Sequence, residues 1–145
     1  MSKILIVDDD YAIRFLYEED LTEEGYEVIT LAGWQGLLET VAQERPDLII
    51  LDAKIGEHDG LKVLQDIRTA YYDLPVVLCT AYPVSKYDPR CVAADFFIEK
   101  SSDLTGLKNN IKMALENRKQ FKVTGNRTKA QNRKMTPIEQ IRLDW

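Results

Sequence analysis

Residues 3–14 read KILIVDDDYAIR, and the fold turns on the junction inside that stretch. Four apolar residues, Ile4 to Val7, run without alternation, the pattern of a strand covered on both faces. Three carboxylates follow at once, Asp8, Asp9 and Asp10. After them Ile13, Leu16, Tyr17 and Leu21 recur at helical spacing, and Gly25 closes the run. A helix start asks for one acid. Three adjacent acids repel one another, so a second demand acts on this junction.

Outward from it the same alternation repeats. Tyr26–Leu31 is rich in β-branched residues and reads as a second strand. Leu37, Leu38, Val41 and Ala42 recur at helical spacing before Pro46. Leu48–Leu51 is another unbroken apolar run, again followed by an acid, Asp52. Asp59 stands where it can cap a helix with Leu61, Leu64 and Ile67 on its inner face. The run VVLC after Pro75 and the segment Phe96–Ile98 supply a fourth and a fifth strand, and Leu104, Leu107, Ile111, Ala114 and Leu115 a last helix. Strand and helix alternating five times, with wholly apolar strands, predict an α/β fold built on a doubly wound five-stranded parallel sheet.

Bulk composition agrees with a globular protein. The 145 residues suit a single core without disulfide or metal staples. Cys79 and Cys91 belong to no CxxC pair, and no apolar run approaches the roughly 20 residues of a membrane span. Lys3 and Asp8 interrupt the N-terminus too early for a secretory signal, so a reduced, cytoplasmic setting is expected, with no membrane contact. The net charge of −5 hides an asymmetry: residues 1–116 carry −11, whereas 117–138 carry seven basic residues and no acid. An acidic domain over 1–119 and a basic tail over 120–145 are therefore expected. Within the tail TPIEQIRLDW carries a helix-start signature, with Thr136 as cap, Pro137 first and Glu139 completing a capping box, so a short helix over 137–144 is expected. Ile138, Ile141 and Trp145 would form its apolar stripe. Seven scattered basic residues without a helix-turn-helix or an aromatic platform do not favour nucleic acid as a partner.

In an open parallel sheet ligands sit beyond the carboxyl ends of the strands. Those ends carry Asp8 and Asp9, then Asp52, then Thr80 and Lys100. Carboxylates gathered at a dry edge are costly unless a cation joins them, and Mg2+ is the hard ion that suits an oxygen-only set. A carboxylate nucleophile, a metal ion, a hydroxyl and an ammonium together suit phosphoryl transfer.

The stretches ILIVDDDYAIR, RPDLIILDAKIGEHDGLKVL, LPVVLCTAY and ADFFIEK, in that order, resemble the receiver domain of bacterial two-component response regulators over residues 3 to about 118. The resemblance implies the flavodoxin-like (βα)5 arrangement and a phosphoryl group accepted on Asp52 from a sensor histidine kinase or a phosphotransfer protein. It implies that Asp9 ligates Mg2+ directly and Asp8 mainly through water, with Asp52 and the Lys54 backbone carbonyl completing the protein ligands. Thr80 and Lys100 would hold phosphoryl oxygens, and Thr80 with Phe97 would form the conformational switch read by a downstream protein partner. Such a domain assists its own phosphorylation and dephosphorylation without being a conventional enzyme. A homodimer, through the fourth helix or the tail, is a further expectation.

Several positions depart from the family pattern. Gly56 and Ser101 stand where prolines are usual, and the Lys100–Ser101 bond is expected to be trans, since a cis bond before serine costs about 2.5–4 kcal/mol. Pro83 and Pro89 predict a short or irregular helix between the fourth and fifth strands. Lys54 and Tyr82 flank the path of attacking water and are expected to tune the lifetime of the phosphorylated form. His58 reads as a loop residue, Trp34 as packing against the sheet, and Cys79 as a small buried hydrophobe. The rival reading is a phosphorylation-independent interaction module on the same fold. An aspartate-nucleophile phosphatase would need a second acid two residues after the nucleophile, where Lys54 stands.

Overall fold

The structure is a computed structural model that describes residues 1–55, 58–81 and 94–123, except the side chains of Ile55, His58 and 120–123. The expectations for Gly56, for Tyr82, Pro83 and Pro89 with their helix, for Cys91 and for the tail beyond 123 lie outside the described residues.

The elements in chain order are β1 (Lys3–Val7), α1 (Tyr11–Glu23), β2 (Glu27–Leu31), α2 (Leu37–Glu44), β3 (Leu48–Asp52), β4 (Lys54–Ile55), β5 (His58–Asp59), α3 (Gly60–Ala70), β6 (Val76–Thr80), β7 (Phe96–Glu99) and α4 (Thr105–Val123). The main sheet runs β2-β1-β3-β6-β7 with every pairing parallel. The period-2 alternation of the strands divides their side chains between two apolar clusters. Leu5, Val7, Ile49, Leu51, Val76 and Leu78 pack with Leu37 and Val41 of α2 and with Leu61, Leu64 and Ile67 of α3. Ile4, Ile6, Leu48, Ile50, Val77 and Cys79 pack with Tyr17 and Leu21 of α1 and with Leu107, Ile111 and Ala114 of α4. Two helices thus cover each face, which explains why β1, β3 and β6 read as unbroken apolar runs. Cys79 is the buried small hydrophobe its sequence context indicated.

The helix starts follow the expected chemistry. Asp10 caps α1, its carboxylate accepting from the N–H groups of Ala12 at 2.9 Å and Ile13 at 3.4 Å. Asp59 caps α3 by accepting from Leu61 N–H at 2.9 Å. Gly25, at φ 98°, makes the left-handed turn from α1 into β2.

Other details refine the sequence reading, some by differing from it. Only Leu37 and Val41 of α2 are buried, while Leu38 and Ala42 face outward. The helix has just eight residues and starts after Gly36, so one i,i+4 row reaches the sheet. Trp34 lies in the turn before α2 and is 39% exposed. β4 and β5 form a two-residue antiparallel ladder that the sequence did not signal. The last helix runs to Val123, past the composition boundary at 120. Every described peptide bond is trans, Lys100–Ser101 included. No described helix is long and apolar enough to cross a membrane.

Arg68, near the end of α3, ties the entry of β6 to that of β7. Its guanidinium donates to the carbonyls of Tyr72 (2.8 Å) and Leu74 (2.7 Å) and to the Asp95 carboxylate (3.1 Å), which also accepts from Val76 N–H at 2.8 Å.

Of the three acids at the opening junction, Asp10 alone serves the helix. Asp10→Ala is expected to lower unfolding stability by about 1 kcal/mol. Urea denaturation of the metal-free protein checks this, and the expected shift is in the midpoint with the slope unchanged.

Candidate functional site

The strand order reverses direction between β1 and β3, so their carboxyl ends open onto one crevice. At the end of β1, Asp8 N–H donates to Leu31 O at 3.1 Å, extending the sheet pairing by one residue. This holds the Asp8 side chain inside the crevice, 3% exposed, where Oδ1 accepts Asp10 N–H at 2.9 Å. Arg14 fixes the same residue from α1, donating to its carbonyl at 2.8 Å. Asp9, the next residue, is exposed at the rim.

Asp52 is the last residue of β3 and 5% exposed. Its Oδ1 accepts Lys54 N–H at 3.1 Å, and the chain beyond it is held by Ala53 N–H on Cys79 O at 2.7 Å. The start of α3 presses against this same backbone. Gly60 N–H donates to Ala53 O at 3.0 Å, and a Cβ at Gly60 would stand 2.7 Å from both the carbonyl carbon and the oxygen of Ala53. Only glycine allows that approach, so Gly60 positions the Asp52 turn. Sequence reasoning missed it. The available signal was glycine straight after the cap Asp59, a costly choice for a helix unless backbone closeness requires it.

Thr80 ends β6 and is 1% exposed. Its carbonyl accepts Lys100 N–H at 2.6 Å, which places Lys100 just past β7 on the crevice side. From there Lys100 Nζ reaches Asp8 Oδ2 at 2.8 Å and Asp52 Oδ2 at 3.1 Å. The structure thus brings Asp8, Asp9, Asp52, Thr80 and Lys100 to one edge of the sheet, as expected. Phe97 is half-buried against the α2/α3 cluster, its backbone registered with Leu78. The Lys54 side chain is exposed, and its backbone N–H is what meets Asp52.

Two buried carboxylates, Asp8 and Asp52, share the one ammonium of Lys100, and Asp9 stands exposed beside them. Burial raises the pKa of Asp52 above its ordinary value, and the neighbouring charge of Asp8 adds to this against the Lys54 N–H and Lys100. Burial pulls the Lys100 pKa down, but the hydrogen bonds and charges of Asp8 and Asp52 together raise it, so the ammonium stays charged. One oxygen from each of Asp8, Asp9 and Asp52 lies within 4.8 Å of the others. The residual charge and the oxygen-only donors therefore fit a hard divalent cation.

Residues 4–112 match the response regulator receiver domain family. Over 81 residues the chain is 42% identical to sporulation initiation phosphotransferase F of Bacillus subtilis, covering 56% of this chain and 65% of that protein. It is 37% identical over 80 residues to the alkaline phosphatase synthesis transcriptional regulatory protein PhoP of the same organism, covering 55% of this chain and 33% of the relative. The chain thus spans between a third and two thirds of these relatives. Among solved structures it is similar to the response regulator TrrA of Thermotoga maritima in complex with Mg2+-BeF (TM-score 0.75, 37% identity, 79% of this chain and 99% of that one). TrrA in complex with the histidine kinase ThkA matches with a TM-score of 0.74 at the same identity and coverage.

A raised Asp52 pKa means that the native state holds this proton more tightly than the unfolded chain. Stability contributed by the carboxyl is then greatest at low pH and is lost as pH rises from the ordinary value of 3.8 through the folded value. Asp52→Asn removes that loss. In metal-free buffer near neutral pH the variant should melt above the native chain, with the difference shrinking below pH ~4. Melts in a chelating buffer across that range check this.

Proposed function

The chain belongs to the response regulator receiver domain family, a class of signalling domains distinct from conventional enzymes. On that premise we propose that it accepts a phosphoryl group on Asp52 in a Mg2+-dependent reaction and changes conformation to signal. The observation that carries this reading is the buried pair Asp8 and Asp52 bridged by Lys100, with exposed Asp9 beside it. This is a nucleophile, surplus carboxylate charge suited to a divalent ion and a cation in one crevice.

In the proposed transfer an oxygen of Asp52 attacks the phosphorus of a phosphohistidine. The P–O bond forms as the P–N bond breaks, and the electron pair leaves with the imidazole. The Lys54 N–H on Oδ1 keeps the carboxylate oriented, so that the other oxygen serves as nucleophile. Asp9 would hold Mg2+ directly and Asp8 mainly through water, with Asp52 and the Lys54 carbonyl completing the protein ligands. When bound, that ion neutralises charge on the transferring phosphoryl oxygens. Lys100 would exchange its carboxylate partners for a phosphoryl oxygen, and Thr80 would take another. The aspartyl phosphate brings a charge of about −2. A Thr80 shift toward it would vacate space for the half-buried Phe97 ring, turning local charge into a surface change. Lys54 and Tyr82 would set how fast water removes the group.

A sensor histidine kinase or a phosphotransfer protein is the proposed donor, consistent with the kinase complex formed by the similar TrrA. At the crevice mouth Tyr11 and Phe15 are 71% and 55% exposed and stack with ring centres 6.3 Å apart. They offer an approaching donor an apolar surface beside the acceptor. A cytoplasmic location, a downstream protein partner and a homodimer belong to the same reading.

Intact mass after incubation with Mg2+ and acetyl phosphate tests it. The native chain should gain one phosphoryl group and Asp52→Asn none. A gain that survives in Asp52→Asn contradicts the assignment. No gain in a native chain that binds Mg2+ leaves the phosphorylation-independent interaction module.

A further inference from the structure

One buried polar group stands apart from the hydrogen bonds of the crevice. Tyr17, in the middle of α1, is 2% exposed and packs in the α1/α4 cluster with Cys79. Its hydroxyl has no hydrogen-bond partner among the described residues. A buried tyrosine oxygen ordinarily finds a partner, and packing alone is served as well by phenylalanine.

The period of two along the strands decides where that oxygen lies. Ile4, Ile6 and Asp8 follow one another on one face of β1 and its one-residue extension. Leu48, Ile50 and Asp52 do so on β3, and Phe96, Ile98 and Lys100 on β7 and its extension. The apolar members of all three rows belong to the α1/α4 cluster. The two buried carboxylates and their ammonium therefore continue the face that α1 covers. Tyr17 stands about two turns, roughly 10 Å, past the cap Asp10. Helical side chains lean back toward the N-terminus of their helix, and α1 starts at the crevice, so the phenol reaches toward the floor beneath Asp8. The electrostatics agree. Burial pushes the phenol pKa up, and the charges of Cys79, Asp8 and Asp52 push it the same way, so the hydroxyl stays neutral.

We propose that Tyr17 is a positioning residue for the cation of this crevice, its hydroxyl oxygen accepting a hydrogen bond from the cation-bound water that Asp8 also holds. The inference rests on the Mg2+ reading of the site. Mg2+ keeps several waters, and each has two O–H donors to satisfy. In the buried part of the crevice Asp8 takes one, and the Tyr17 oxygen on the same face takes the other. Contacts of this kind behind the direct ligands are worth about 10–100-fold in metal affinity. The hydroxyl meets no described protein group, so it serves loading of the site and not the metal-free fold.

The test titrates the full chain and Tyr17→Phe with Mg2+ alone by calorimetry and compares their urea midpoints in chelating buffer. Tyr17→Phe keeps the ring and removes only the oxygen. Its dissociation constant should rise about tenfold, with metal-free midpoints that coincide. Mg2+ should also perturb the near-ultraviolet tyrosine absorbance of the native chain, with that change lost in Tyr17→Phe. Equal dissociation constants overturn the proposal and leave the Mg2+ reading standing, whereas a native chain that Mg2+ does not saturate overturns both. Weaker binding with a lower metal-free midpoint also overturns it, because the oxygen then supports the fold itself. A tyrosine change identical in the two proteins does the same.

Discussion

Two carboxylates buried side by side, with a single ammonium between them, set the terms for the rest of the molecule. Asp8 and Asp52 come from adjacent strands, and Lys100 spans them at 2.8 and 3.1 Å from just beyond the sheet's edge strand. Burying an ion pair gains little by itself, because the desolvation cost rivals the attraction. A second buried carboxylate makes the cost larger. The protein keeps this arrangement on a rigid frame: parallel pairing fixes each strand end, and the Lys100 N–H on Thr80 O fixes the cation's origin. The surplus carboxylate charge is thus held in place by the fold.

The frame was legible because its residues report their surroundings. A strand covered on both faces has few polar positions, so β1, β3 and β6 declared themselves, and the acids at the ends of β1 and β3 marked the crevice. Separating Asp10 as helix cap from Asp8 and Asp9 as site residues was also within reach, since a cap needs one acid. Chemistry at strand ends is local in sequence and hence readable.

Features set by distant approach were not. Gly60 is required by the backbone of Asp52 and Ala53 at the end of β3, and nothing in its own helix announces that. The outward turn of Leu38 and Ala42 follows from how short α2 is, which depends on where the Gly36 and Arg45 turns fall. Arg68 links two strand entries through Asp95, 27 residues away, and composition offers no trace of such a pair. The direct contact between Lys100 and both acids was likewise out of reach: the residue types were evident, but which carboxylates the ammonium meets was not.

If the crevice is a charge deficit awaiting a divalent cation, the cation must stabilise the native state by mass action. The most direct measurement is the melting temperature of the native chain titrated with Mg2+, with Asp9→Asn alongside. Saturation at 100 times the dissociation constant corresponds to about 2.7 kcal/mol, a rise of many degrees for a chain of this size. A saturable rise in the native chain that is greatly weakened in Asp9→Asn is the predicted result. No rise into the tens of millimolar, or the same rise in both proteins, contradicts the account.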